Sequence, residues 1–209
     1  MTDDQRYAPI HPAEALVLSR VSAEIRERAQ SVRLMVFDVD GVLTDGSLYY
    51  GENGEALKRF NAQDGHGLRL LQEAGIAIAF ITGRSGPILA RRAAELGIGA
   101  AELGIAEVVQ GVRDKGAALT EMTQRLGISM NHVGFMGDDI IDLSAMQRAN
   151  FAATVPHAPV YVAQAAHWVS TLSGGNGAAR ECCDLLLAAK GKLGTFLNSP
   201  GLLKSGVIQ

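Results

Sequence analysis

The sequence predicts an α/β fold: a doubly wound, mostly parallel sheet with helices on both faces and one projecting β-hairpin. Two observations carry the prediction. Apolar runs at Leu34–Phe37, Ile76–Ile81, Val108–Val109, Val133–Met136, Phe151–Ala153 and His167–Val169 alternate with helix-like segments at Gly86–Leu96, Asp114–Leu126 and Ile140–Arg148. Short strands without polar alternation are those of a sheet covered on both sides, and intervening helices supply the crossovers that parallel strands need. The second observation is "SLYYGENGEALKRF", where two strand-like pieces flank Glu52-Asn53-Gly54, a turn with the Asn-Gly hairpin signature.

The elements follow in order. "PAEALVLSRVSAEIRERAQ" has apolar residues at helical spacing with charges between them and reads as an N-terminal amphipathic helix from Pro12 to Gln30. The first strand, the hairpin within Ser47–Phe60, and the alternating strands and helices come next. The expected organisation is a helical extension over 1–30, one domain over 31–194 and a tail over 195–209 that carries Gly, Ser, Pro and Asn.

Composition narrows the function. The chain has 209 residues, 47% of them hydrophobic and 20% charged, which suits one domain with a sizeable core. A net charge of −3 without a block of Lys and Arg gives no footprint for nucleic acid or an anionic membrane. "GIAIAFITG" is far shorter than the roughly 20 residues of a membrane span, and the acidic "MTDD" start lacks the apolar core of a secretory signal, so the expected location is the cytoplasm. Cys182 and Cys183 are adjacent in a helical pattern, which suits core thiols and not a disulfide framework or a spaced metal site.

Four strand-end motifs carry chemistry. "LMVFDVDGVLTDG" sets Asp38 and Asp40 after an apolar strand, at the edge where open α/β sheets bind ligands. A calcium loop counted from Asp38 would need ligands where Val42 and Tyr49 stand, which excludes that reading. "FITGRS" offers the Thr82 hydroxyl and the Gly83 N–H at the same edge, followed by Arg84. "QGVRDKG" carries Lys115 near a helix start, and "VGFMGDDIIDL" places Asp138 and Asp139 after another strand with Asp142 one turn on. Such carboxylates repel one another unless a cation or a lysine joins them.

A fifth segment, "GGNGAARE", superficially matches a dinucleotide fingerprint, but Arg180 occupies the position of the third glycine. Its glycine-flanked helix start, with Arg180 as a bidentate clamp, is instead a candidate site for an anion such as a carboxylate. Asn61 and Asp64, just before a helix, are candidates for substrate contact or for structure, and His66 in the same loop has no assigned role.

As a set, the four strand-end motifs resemble the haloacid dehalogenase superfamily of phosphotransferases. The resemblance implies that Asp38 is a nucleophile forming an aspartyl phosphate, that Asp40 is its acid/base partner, and that Thr82 and Lys115 hold the phosphoryl oxygens. It further implies Mg2+ on Asp38, the carbonyl of Asp40 and Asp138, with Asp139 and Asp142 orienting metal waters and Lys115. Many members insert a cap domain after the first motif; Ser47–Phe60 has room for a hairpin and nothing larger, so no cap is expected.

From Ser31 to Leu193 the chain is similar to a capless phosphatase subfamily. Its members are homotetramers whose hairpins meet across subunits and whose neighbouring C-terminal segments help close the sites. They release phosphate from an eight-carbon acidic sugar destined for lipopolysaccharide. That likeness implies a small sugar phosphate substrate, with Arg84, Arg180, Asp64 and Asn61 as substrate contacts. A nine-carbon, sialic-type sugar acid phosphate is the alternative substrate, and a non-catalytic binding module is the alternative class. Asn176 departs from the pattern, standing where relatives often carry a basic residue, and the segment from Thr195 onward does not match clearly.

Overall fold

A computed structural model describes residues 10–98 and 107–198. Strands β1 (Leu34–Phe37), β4 (Ala77–Ile81), β5 (Glu107–Val109), β6 (Val133–Met136), β7 (Phe151–Thr154) and β8 (Trp168–Val169) form one sheet in the order β5-β4-β1-β6-β7-β8. Every neighbouring pair is parallel. The chain winds outward from β1 to β5 on one side, then returns to β6 and winds outward on the other. The strand order therefore reverses at β1, and the crevice above its carboxyl end is where such sheets bind ligands.

Strand β1 is buried along its whole length. Met35 and Phe37 pack into a core shared with α3 (Ala62–Glu73) and α8 (Ala178–Ala189). Leu34 and Val36 point into a second core with α5 (Lys115–Leu126), α6 (Leu143–Met146) and α7 (Val160–Ala165). This division is the pleat of a strand sandwiched between helix layers, and it explains a sequence apolar at every position. Helix α4 (Pro87–Glu95) adds Leu89 and Ala93 to the first core. Cys182 and Cys183 are buried and free in that same core.

Two segments differ from the sequence reading. The N-terminal stretch forms two helices, α1 (Pro12–Leu18) and α2 (Ala23–Ser31), both packed on α8. Ser22 causes the break: its backbone is extended and its hydroxyl accepts from the Ile25 N–H at 3.3 Å, capping the second helix. The "GDDIIDL" segment opens with a tight 3-10 turn over Ile140–Asp142 before the short α6. There Asp139 and Asp142 form a capping box, so carboxylates organise this turn. Helix α9 (Leu193–Leu197) follows α8 and packs against α1; the tail from 199 onward lies outside the described residues.

Between β1 and α3 the chain holds the antiparallel hairpin β2 (Tyr49–Gly51) and β3 (Gly54–Leu57). Gly51 pairs with Gly54, whose φ of +101° lies in the region glycine favours. No cap domain is present among the described residues, and none of their helices is long and apolar enough to cross a membrane.

Candidate active site

The register of the sheet builds the site. Phe37 pairs with Phe80 on β4 and with Met136 on β6, so the ends of these three strands lie level. Asp38 follows β1, Thr82 follows β4, and Asp138 follows β6 by two residues. The Asp38 N–H still donates to the Met136 carbonyl at 2.8 Å, which anchors this carboxylate to the sheet.

Lys115, from the first turn of α5, reaches into the same place with its side chain 1% exposed. Its ammonium lies 2.7 Å from Asp38 Oδ1 and 2.6 Å from Asp142 Oδ1. Asp142 Oδ2 accepts from the N–H groups of Asp138 at 3.0 Å and Asp139 at 3.1 Å, so this carboxylate is fully engaged. Asp139 Oδ1 accepts from the Ile140 N–H at 2.7 Å.

Charge is not balanced in this cluster. Burial and the neighbouring Asp142 push the Asp38 carboxyl up to about 8, although Lys115 opposes them. Burial and Asp142 likewise push Asp138 up to about 7. Lys115 is lowered by burial and raised by Asp38 and Asp142, and the carboxylates win. One ammonium among three carboxylates leaves negative charge without an offset.

That surplus is the basis for asking whether a cation fits. Ligand oxygens of Asp38, Asp138 and Asp142 all lie within 4.8 Å of one another. Asp138 Oδ1 is buried without a hydrogen-bond partner. Gly41, at φ +96°, lies so close to the Asp138 carboxylate that a Cβ there would collide with it. Hard oxygen donors, a carboxylate oxygen with nothing to bind and a surplus of negative charge fit Mg2+.

Beside this cluster, Val39, Asp40, Glu55, Lys58, Thr82 and Arg84 line a cleft. The Thr82 hydroxyl oxygen accepts from the Arg84 N–H at 3.2 Å. Arg84 Nη2 donates to the Tyr50 hydroxyl at 2.9 Å, while its Nε is buried without a partner. Asp40 Oδ1 accepts from Lys58, and Asp40 Oδ2 is also buried without a partner.

A relative identified by sequence is the 3-deoxy-D-manno-octulosonate 8-phosphate phosphatase KdsC of Escherichia coli K12, 40% identical over 83% of this chain and 88% of its own. The chain belongs to that phosphatase family. The Haemophilus influenzae phosphatase of the same name is 39% identical over 87% of this chain and 97% of its own. Residues 87–181 match the model of the haloacid dehalogenase-like hydrolases. The structure of the Moraxella catarrhalis family member, described as a complex with magnesium, phosphate and KDO, superposes with a TM-score of 0.79 at 40% identity, over 85% of this chain and 98% of that one. A cobalt-bound Haemophilus influenzae member gives 0.77 at 36% identity, over 85% and 99% of the two chains.

Within this phosphatase family frame, the residues read as substrate contacts separate. Arg84 lies in the Asp40 cleft, but Asn61, Asp64 and Arg180 line other surfaces. Asn61 caps α3, accepting from the Gln63 N–H at 2.7 Å. Asp64 caps α8 across space: its oxygens accept from the N–H groups of Arg180 at 2.8 Å and Gly177 at 3.3 Å. The helix start read as an anion site thus already holds a carboxylate of the chain itself. Arg180 Nε is paired with Asp184 at 2.8 Å. The sequence reading missed Lys58 and Glu55, because a lysine leaving a hairpin reads as a solvated surface residue.

Proposed function

We propose that this chain is a Mg2+-dependent phosphatase that hydrolyses 3-deoxy-D-manno-octulosonate 8-phosphate to the free sugar acid and phosphate, a step in making lipopolysaccharide precursors. The observation that carries this reading is the buried Asp38 carboxylate, held by Lys115 at the carboxyl end of β1 in a chain of that phosphatase family.

In the first step an Asp38 oxygen attacks phosphorus, the bond from phosphorus to the sugar oxygen breaks, and Asp40 gives that oxygen a proton. An aspartyl phosphate on Asp38 results. In the second step Asp40 takes a proton from water, whose oxygen bonds to phosphorus as the bond to Asp38 breaks. Dividing one hard displacement into two is the gain of covalent catalysis, and one carboxyl serves both proton transfers because it ends the first step deprotonated. Lys115 and the Thr82 hydroxyl hold the phosphoryl oxygens.

Asp38, the carbonyl of Asp40 and Asp138 would hold Mg2+, with Asp139 and Asp142 orienting its waters and Lys115. When bound, the metal supplies positive charge that keeps Asp38 ionised and offsets its repulsion of the substrate phosphate. Arg84 is the residue we retain as a substrate contact, since its buried Nε has no partner in the protein. Asn61 and Asp64 cap helix starts, and the Arg180 guanidinium pairs with Asp184 within α8, so we do not retain these three as substrate contacts. The reading includes a homotetramer, supported by the exposed Leu48, Tyr49, Tyr50 and Leu57 around the hairpin. It also places the enzyme in the cytoplasm, where two buried free thiols suit a reducing compartment.

Assay of a panel of sugar phosphates with Mg2+ tests the proposal. The eight-carbon acid phosphate is expected to give the highest kcat/KM, and Asp38→Asn to fold and bind substrate without turnover. Preference for a nine-carbon sialic-type phosphate would move the substrate, and turnover by Asp38→Asn would exclude the covalent route.

A further inference from the structure

The hairpin sends one charged side chain back toward the chemistry. Lys58, the residue after β3, has a side chain only 6% exposed. Its ammonium is hydrogen-bonded to Asp40 Oδ1 and lies 2.9 Å from Glu55 Oε1. Asp40 supplies the hydrogen bond and Glu55 a second negative charge beside it. Contact with two carboxylates offsets the cost of taking the side chain out of water, so its position is tightly specified.

The consequence for Asp40 is geometric. Its two oxygens are equivalent in a freely rotating carboxylate, but here they have different surroundings. Oδ1 is occupied by the ammonium, while Oδ2 is buried without a partner, and Asp40 lines a cleft together with Thr82 and Arg84. We propose that Lys58 is a positioning residue that pins Asp40 Oδ1 and so dedicates Oδ2 to proton transfer. The proposal rests on the reading of Asp40 as the acid/base group.

In these terms Oδ2–H donates to the bridging oxygen as that oxygen takes the electron pair of its bond to phosphorus. The resulting Oδ2 lone pair then accepts the proton of the attacking water. Lys58 transfers no proton and touches no substrate atom; it stops the carboxylate from turning its free oxygen away. Glu55 belongs to the same device, since it also lies 3.6 Å from Arg84 Nη2 and so ties the pinning lysine to the proposed substrate contact. A hairpin too small to be a cap thereby acts on the acid/base carboxylate from within its own chain.

The test compares two leaving groups. A sugar alkoxide needs a proton to depart, whereas the nitrophenolate of p-nitrophenyl phosphate leaves without one. Positioned general acid catalysis contributes on the order of 100-fold or more. Lys58→Met is therefore expected to lower kcat/KM for the sugar phosphate by about 30-fold and for p-nitrophenyl phosphate by less than about threefold. Lys58→Gln, a neutral donor of similar burial, should show the same substrate pattern at smaller amplitude. Equal losses on both substrates in either variant, while Asp40→Asn still discriminates between them, would overturn the role of Lys58. Equal losses in Asp40→Asn itself would overturn the acid/base reading.

Discussion

At the scale of single residues, the site is a problem of charge. Asp38 and Asp138 have folded values raised to about 8 and about 7 from an unfolded value of 3.8, so the folded chain without metal binds more protons than the unfolded chain between these limits. Stability then falls as pH rises through that window. Lys115 acts elsewhere: its raised value gives stability that is complete below 10.5 and lost only above it. A cation needs both carboxylates ionised, so it displaces their protons, and its affinity rises with pH. The metal-free protein is therefore expected to have a lower Tm at about pH 8 than at about pH 6, and Mg2+ to raise Tm more at the higher pH. Thermal melts with and without Mg2+ at the two pH values check this. An equal Mg2+ effect at both would mean that the carboxylates are already ionised without metal.

At the scale of elements, what could be read from the sequence follows the range of the interaction. Strands β1, β4 and β6 were legible because a buried parallel strand writes its environment into consecutive residues. Asp38, Thr82 and Asp138 could be placed at one edge because each trails such a run. The cap that Asp64 places on α8 could not be read: its partner lies 113 residues away, and no local pattern records it. Lys58 failed for the same reason, since the spacing gives its position after the hairpin but not the direction of its side chain. The break between α1 and α2 was a nearer miss, because Ser22 with a helical pattern behind it is a local capping signal. Ser22→Ala is expected to lower stability by about 1 kcal/mol with kcat unchanged, because α1 and α2 pack on α8 and their residues do not line the Asp40 cleft. Denaturant titration together with a Mg2+ assay would measure both; a matching loss of kcat would connect the N-terminal helices to the site.

At the scale of the whole molecule, the hairpin raises one question: what covers a site that has no cap domain among the described residues? Leu48, Tyr49, Tyr50 and Leu57 expose 48%, 39%, 64% and 49% of their surfaces, and an isolated two-stranded ribbon is marginal in water. Apolar residues are a liability on such a ribbon unless something packs on them, and further copies of the chain would satisfy both needs in the proposed tetramer. Tyr49 and Leu57 are cross-strand partners, so replacing them together with Lys and Glu removes the apolar surface while keeping a favourable pair across the ribbon. Tyr50 is left in place because its hydroxyl holds Arg84. The double variant Tyr49→Lys/Leu57→Glu is expected to run as a smaller species in light scattering. Its kcat/KM should fall at least about tenfold on the sugar acid phosphate, which is the loss of roughly 1.4 kcal/mol of transition-state binding. The loss on p-nitrophenyl phosphate should be smaller, since that substrate has no sugar for a neighbouring subunit to enclose. A monomeric double variant with full activity on the sugar acid phosphate would show that one chain closes its own site, and that the hairpin contributes to the chemistry only through Lys58 and the residues joined to it.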